Sequence, residues 1–434
     1  MTTFQAPRSV LLVGAAGAGL RAAGEFLRDA GTRVFAEDAD REEVARWAVG
    51  VGATVIEALP RVDLVIHTAA VSPKHPSVAA ARRTGADVRS YPQWLGELTR
   101  RLPVVAVAGT HGKTTTAALL QTALGDASFL IGGACRRTGR SGGYTPGTPV
   151  VVEACEYRRH FLGLSPAAAC VLPCEWDHPD CFKGEADVRA AFDAFVRRVE
   201  GPVLDLRETP PTPLGAEVPN LGRHLLGNAE AAVEAAVLLG VDRGEAVRRL
   251  ADFGGLSRRY ETLPDGPCLW IDDYAHHPTA VTLTLRQARA EAAGRPLIAV
   301  FEPHQASRLR AFGEGFAEAL SLADEAWVLP VHAAREAAAG ADVVAAFCRS
   351  AGPGVRPAAD LDQLARLLET RRKAPCVIAV LGAGRIGRFL DERFPHLRGR
   401  TRPVRGDRAG GRGPRALHVA EGRRPGAVRR GAPQ

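Results

Sequence analysis

Short apolar runs alternate with longer amphipathic stretches through the first hundred residues: SVLLVG, LRAAGEFLRDAG, RVFAED, DREEVARWAVGVG and LVIHTA. Continuous apolar runs suit strands buried on both faces, and the intervening stretches carry the spacing of helices with one apolar side. Such alternation predicts a parallel sheet covered by helices. A second series opens at PVVAVAG and continues through GTHGKTTTAALLQTALG, VVVEA, PAAACVLP and DVRAAFDAFVRRV. Between these, residues 131–149 are rich in Gly and Thr and are expected as loop, ETPPTPLGAEVPNLG as irregular chain, and NAEAAVEAAVLLG as a helix stopped by glycine. From Leu263 a third series supplies the strands CLWID, PLIAVF, EAWVLP and CVIAVLG. No repeat of fixed period is present. The pattern predicts an α/β protein of three successive domains with mainly parallel sheets, residues 1–103, 104–262 and 263–396, followed by a tail, 397–434.

Charge changes this picture only at the end of the chain. The formal net charge is +8, but from Arg398 to Gln434 eleven arginines against Asp407 and Glu421 give +9, so the rest carries about −1. A Gly/Pro/Arg-rich segment without apolar pattern cannot bury enough surface to fold and is expected to be disordered. With the charge confined there, a nucleic-acid-binding body is not expected. No apolar run approaches the roughly 20 residues of a membrane span, and MTTFQAPRS lacks a signal-peptide core, so a cytoplasmic protein without membrane insertion is expected. The eight cysteines are too scattered for a disulfide scaffold. Cys170, Cys174, His178 and Cys181 admit a zinc reading, but without the CxxC pairing of structural sites they read better as free thiols.

Two glycine-rich turns carry candidate chemistry. In GAAGAG, Gly14, Gly17 and Gly19 follow a strand and open a helix, with Asp38 ending the next strand. Backbone N–H groups there suit a pyrophosphate, although GxxGxG is not the GxGxxG dinucleotide fingerprint, and a nicotinamide cofactor stays open as an alternative. The second turn, GTHGKTT, keeps the acting parts of a phosphate-binding loop: Gly112, Lys113 and Thr114, with Gly109, Thr110, His111 and Thr115 around them. Only four of the 56 basic residues are lysines, and one follows the loop glycine. A compact ammonium reaches a phosphate where a planar guanidinium does not fit. ATP with Mg²⁺ is the expected occupant. A later match to GxGxxG, Gly382 to Gly387, has too little chain after it for a βαβ unit and reads as a turn at a sheet edge.

Taken in order, GTHGKTTT, EACEYRRHFL, DHPDCF, GRHLLGN, FGGLSRRYE, DDYAHHP and FEPHQASR resemble the signature series of the Mur ligases, from about Val10 to Phe389. The resemblance is nearest to members that join L-alanine to UDP-N-acetylmuramate in peptidoglycan precursor synthesis. It implies a Rossmann-like domain for the UDP-sugar, a P-loop domain for ATP and a Rossmann-like domain for the amino acid. It also implies amide formation through an acyl phosphate. By resemblance, Lys113 neutralises the γ-phosphate; Thr114, Glu153 and His178 hold metal; Asn228, with His224 nearby, meets adenine; Arg258 and Arg259 lie at a hinge. Asp273, His276, His277, His304 and Arg308 would meet ATP and the amino acid, Arg308 by pairing with a carboxylate; Val331 to Glu336 is a weaker part of the same edge. Ala16, Leu225, Glu302 and His332 depart from the family pattern, and Glu302 leaves glycine, serine or a peptide open in place of alanine. A murein tripeptide ligase and, more distantly, an NAD(P)-dependent dehydrogenase are the alternatives, and a hydrolytic metal centre at DDYAHHP is a further one. Oligomeric state is not legible.

Overall fold

The computed structural model describes residues 4–125, 127–333, 336, 341–358 and 360–398, so most of the expected tail lies outside the described residues. Five parallel strands build the first sheet, in the spatial order Thr54–Val55, Arg33–Glu37, Ser9–Val13, Leu64–His67, Asp87–Ser90. Alternation along Ser9–Val13 explains why the strand is apolar throughout: Val10 and Leu12 pack with Phe26 and Ile66, while Leu11 and Val13 face Ile56, Val62 and Val78. Strand order reverses beside Ser9–Val13, and the Gly14 turn opens at that crevice.

The second sheet runs Val203–Asp205, Ala168–Val171, Val104–Ala108, Val150–Glu153, Ser128–Leu130, Gly142–Gly143, parallel except for its last pair. The wholly buried strand Val104–Ala108 is flanked by strands on both sides, so the phosphate loop leaves from the middle of the sheet. The third sheet runs Glu261–Asp265, Cys268–Asp273, Cys376–Leu381, Leu297–Phe301, Glu325–Val328, Val355–Pro357. Its catalytically interesting edge is the carboxyl end of the three middle strands, where Asp273, Leu381 and Phe301 are in register.

Several details differ from the sequence reading, among them the short flanking strands Thr54–Val55, Asp87–Ser90, Ser128–Leu130, Val203–Asp205 and Val355–Pro357, which no quoted run marks. The segment 131–149 contains the short strand Gly142–Gly143. The third sheet begins at Glu261, with an antiparallel edge strand whose Pro264 is compatible only with an edge. Pro395–Arg398 form a 3-10 turn with Leu397 buried and Arg398 paired to Asp272, so the described body extends through Arg398, past the expected start of the tail at 397. The turn at Gly382 opens directly into the short helix Ile386–Arg393 at the sheet edge, as its sequence context suggests.

The first two sheets are joined through one buried carboxylate. Glu25, 1% exposed, accepts from the Trp47 indole at 2.9 Å and from the backbone N–H groups of Ser141 and Gly142, both at 2.7 Å. Gly142 is required there because a Cβ would stand 2.0 Å from the Ala22 carbonyl oxygen. No helix among the described residues is long and apolar enough to cross a membrane. Replacing Glu25 by Ala strands three buried donors, and the expected loss of unfolding free energy is at least about 2 kcal/mol in urea titrations. Gly142→Ala is expected to lower stability as well, by forcing the first domain off the second; an unchanged denaturation midpoint in both variants would contradict this account of the joint.

Candidate active site

The phosphate loop is shaped by two glycines in backbone conformations that other residues avoid: φ is +139° at Gly109 and +78° at Gly112. A Cβ on Gly109 would lie 2.6 Å from that of Leu172, and one on Gly112 would lie 2.0 Å from Asn228 Nδ2. Thr110 ties the loop to the neighbouring strand exit, its N–H to Pro173 O at 3.2 Å and its hydroxyl to Glu175 O at 3.0 Å. The helix Lys113–Leu124 then starts with free N–H groups facing a cavity of about 670 Å³ shared with the third domain.

Lys113 folds back over this loop. Its ammonium donates to Gly109 O at 2.7 Å and Thr110 O at 2.9 Å, and lies 2.9 Å from Glu156 Oε2. Burial alone would lower the lysine pKa, but the field of Glu156, with Glu153 nearby, outweighs it and raises the pKa above its ordinary value. Glu156 responds in the complementary sense: burial opposes its charge, and Lys113 and His178 together hold it below the usual carboxylate range. Beside this pair, Thr114 donates its hydroxyl to Glu153 Oε2 at 2.8 Å, and Gly132 N–H donates to the same oxygen at 2.7 Å. A Thr hydroxyl and a carboxylate are hard oxygen donors, a set that fits Mg²⁺. Arg259 reaches across from the hinge to donate to Thr114 Oγ1 at 3.0 Å. Arg258, expected beside it, instead points to Asp272 and to Gly382 O, away from the loop.

His178 occupies a strained turn, φ +55°, with Nε2 3.6 Å from Glu156 Oε1 and Nδ1 3.2 Å from an Arg308 nitrogen. Arg308 itself is 1% exposed. Its Nε donates to Asp177 Oδ1 at 2.9 Å, and its NH1 group donates to His304 O at 3.0 Å and approaches Gln305 Oε1 at 3.3 Å. Most of its donors are thus engaged within the protein. Asp273 is buried at the mouth of the third sheet, where burial pushes its pKa up to about 6 although Tyr260 and Ala275 N–H groups bond its oxygens. His276 Nδ1 lies 3.0 Å from Tyr274 O, and burial, reinforced by Arg308, holds the ring well below its ordinary pKa. His304 stacks near both His276 and His332 and pairs with His332 as an isolated bridge. Residues 334 and 335 of the weaker segment Val331 to Glu336 lie outside the described residues.

Of the residues expected at adenine, Asn228 donates to Thr116 Oγ1 at 3.0 Å, and His224 packs edge-on to Tyr260 with burial lowering its pKa to about 4. The first glycine turn borders a separate cavity of about 750 Å³ lined by Gly14, Gly17, Glu37, Asp38 and His75. Asp38 fastens the turn by accepting from Ala16 N–H at 3.0 Å and Asp40 N–H at 2.9 Å. Gly19 is different: it stands outside the cavity lining, where a Cβ would meet the Tyr91 ring at 2.9 Å, so its smallness serves packing. The cysteine reading of residues 170–181 also resolves. Cys170 is buried in a strand, Cys181 Sγ accepts from Arg158 N–H, and all eight cysteines are free.

Comparison with known proteins agrees with this geometry. Residues 10–102 match the model of the Mur ligase family catalytic domain, and residues 258–384 match the Mur ligase glutamate ligase domain. A UDP-N-acetylmuramate–L-alanine ligase of Halorhodospira halophila is 34% identical, over 89% of this chain and 93% of its own length. The chain belongs to the Mur ligase family. A ligase of the same name from Frankia casuarinae is 33% identical over 77% of this chain and 85% of its own. The fold of this Mur ligase is that of the UDP-N-acetylmuramate–alanine ligase of Thermotoga maritima, with a TM-score of 0.72, 22% identity, and coverage of 89% and 99% of the two chains. The murein peptide ligase of Psychrobacter arcticus shares the same fold, with a TM-score of 0.66 at 23% identity, over 90% of this chain and 99% of its own.

Sequence reasoning did not single out Glu156, Glu175 or Asp177, although Glu156 and Asp177 lie inside quoted motifs and Glu175 is two residues before one; their partners Lys113, His111 and Arg308 are 43, 64 and 131 positions away. The available signal was the pair of acidic residues in each of EACE and EWD. His224 and His277 are both held near a pKa of 4 by burial, so the unfolded chain takes up protons at pH 6.5 and below while the folded chain does not. Stability is therefore expected to fall as pH drops from about 6.5 towards 4, before the lowered carboxylates Glu156 and Asp177 titrate. His224→Phe should flatten that slope in denaturation curves taken across the window; an unaltered slope would show that the ring is not desolvated in solution.

Proposed function

We propose that this Mur ligase joins L-alanine to the carboxylate of UDP-N-acetylmuramate, converting ATP to ADP and phosphate through an acyl phosphate, as a step of peptidoglycan precursor synthesis. The observation that carries the reading is the Lys113 ammonium, held at the start of a buried helix by two loop carbonyls and Glu156. An arriving γ-phosphate takes the place of those weaker partners, so the positive charge is already in position when the muramate carboxylate oxygen attacks phosphorus and the bond to ADP breaks. Such transfer is governed by positioning and charge neutralisation. Mg²⁺, when bound by Thr114 and Glu153, supplies further neutralisation of the phosphate oxygens.

The alanine amine then attacks the acyl carbon and phosphate leaves. His276 is suited to orient the neutral amine: its Nδ1–H directed to Tyr274 O leaves Nε2 to accept a hydrogen bond from it, and the departing phosphate takes the proton. Arg308 holds Asp177 and His178 in place and brings the third domain onto the second, and Arg259 reaches Thr114 from the hinge. Gly14, Gly17 and the Asp38-braced turn offer N–H groups to the UDP pyrophosphate in the first cavity. Asn228, His224 and Asp273 frame the nucleoside end of ATP. We place the reaction in the cytoplasm, where ATP is supplied. Glu302 is buried at the same edge and accepts Ile386 N–H at 3.0 Å, which marks the amino-acid side as the place where glycine, serine or a peptide would be distinguished from alanine.

ADP release in a coupled assay is expected to require both UDP-N-acetylmuramate and an amino acid, with alanine preferred over glycine, serine and murein tripeptide. Lys113→Ala should lower kcat by at least about 10²-fold. ADP formation indifferent to the sugar nucleotide, or substantial turnover by the variant, would overturn the reading.

A further inference from the structure

Three side chains from separate stretches of the chain meet beside the phosphate loop, and none carries a step in the reaction proposed above. His111 comes from the loop itself, Glu175 from the chain after strand Ala168–Val171, and His277 from the turn before the third-domain helix Pro278–Ala292. One carboxylate oxygen, Glu175 Oε1, is approached by His111 Nε2 in a close contact and by His277 Nδ1 at 3.5 Å. The two rings lie 4.7 Å apart, and Glu175 Oε2 is fixed separately by the Thr279 hydroxyl at 3.0 Å. His277 is 4% exposed, yet among the described residues neither ring nitrogen has a hydrogen-bond partner. A buried imidazole left in this state is unfavourable unless something else uses its lone pair.

The spacing says what would. Two donor atoms each about 2.1 Å from a tetrahedral ion stand about 3.4 Å apart, close to the 3.5 Å between His277 Nδ1 and Glu175 Oε1; His111 Nε2, in direct contact with the same oxygen, must draw back from it to become the third ligand. Among the described residues, this is the one grouping of three His, Cys, Asp or Glu side chains whose ligand atoms all lie within 4.8 Å of one another. Two imidazoles and a carboxylate suit Zn²⁺, Co²⁺ or Ni²⁺, and differ in kind from the hard oxygen set at Thr114 and Glu153. All three residues line the cleft between the second and third domains, so a fourth ligand position faces it.

We infer that His111, Glu175 and His277 form a site for a borderline-soft divalent cation of the Zn²⁺ class, distinct from the Mg²⁺ site, which clips the third domain to the phosphate loop. The inference goes beyond the ligase reading and is tested without substrates, so either can fail alone. The full-length protein, in millimolar Mg²⁺, is titrated with Co²⁺ and then with Zn²⁺ against a chromophoric chelator. One equivalent of Co²⁺ is expected to give visible d–d bands without thiolate-to-metal charge transfer, and Zn²⁺ should displace it. Glu175→Gln, which keeps the side-chain shape, and His277→Ala should each weaken binding by at least about tenfold, with melting curves reporting whether each variant is folded. Should His277→Ala unfold, Glu175→Gln decides. Absence of d–d bands, a charge-transfer band showing cysteine ligation, or Zn²⁺ affinity unchanged in the folded variants would each overturn the assignment.

Discussion

A buried ammonium must be balanced by negative charge, and the rest of the catalytic cleft is arranged around how Lys113 meets that requirement. Glu156, 2% exposed, supplies the balance in the absence of nucleotide, and it is itself tolerable in the interior only because Lys113 and His178 face it. The pair is therefore conditional. A phosphate that takes over Lys113 leaves Glu156 to His178, which in turn is held by Arg308 from the third domain. Through this chain of charges, what happens at the phosphate loop is felt at the interface with the third domain.

That interface is polar at its centre. Arg308 and Asp177 are both buried, and their 2.9 Å contact crosses from one domain to the other. Burial raises Asp177, but His178 and Arg308 bring it well below the ordinary carboxylate range. A desolvated ion pair of this kind gains little over an apolar contact of equal size, yet removing one member leaves a buried charge. It thus specifies how the domains meet more than how tightly. The joint between the first and second domains follows the same logic with a different donor set, since Glu25 takes two backbone N–H groups and an indole in place of a guanidinium.

The central strands of all three sheets were legible because they are continuous apolar runs separated by glycine-marked turns, whereas short flanking strands such as Asp87–Ser90 and Val355–Pro357 were not; the phosphate loop was legible because its glycines, lysine and threonine must be contiguous to act. What escaped was set by other forces. The edge strand Glu261–Asp265 has no apolar signature, since its partner Cys268–Asp273 alone dictates it. Gly19 reads as part of a phosphate cradle, but only the fold puts the Tyr91 ring against it. Arg258 and Arg259 are neighbours of identical type, and their divergence comes from the positive φ of Arg258, +58°, which turns one side chain to Asp272 and the other to Thr114. Pairings across many tens of residues have no local pattern to betray them.

The two cavities impose a final constraint. Each glycine turn opens a helix whose N-terminal amides border a cavity, but one lies at the switch point of the first sheet and the other at the centre of the second. A single nucleotide has no need of both, whereas a nucleotide-linked acid that must reach the γ-phosphate of another nucleotide needs one at each end. The third domain meets the border of each: Arg388 contacts Asp40, two residues beyond Asp38 of the first cavity, and Arg308 contacts Asp177 of the second. One domain therefore contacts the borders of both cavities, and the ion pairs that hold it there fix how far apart the two glycine turns stand.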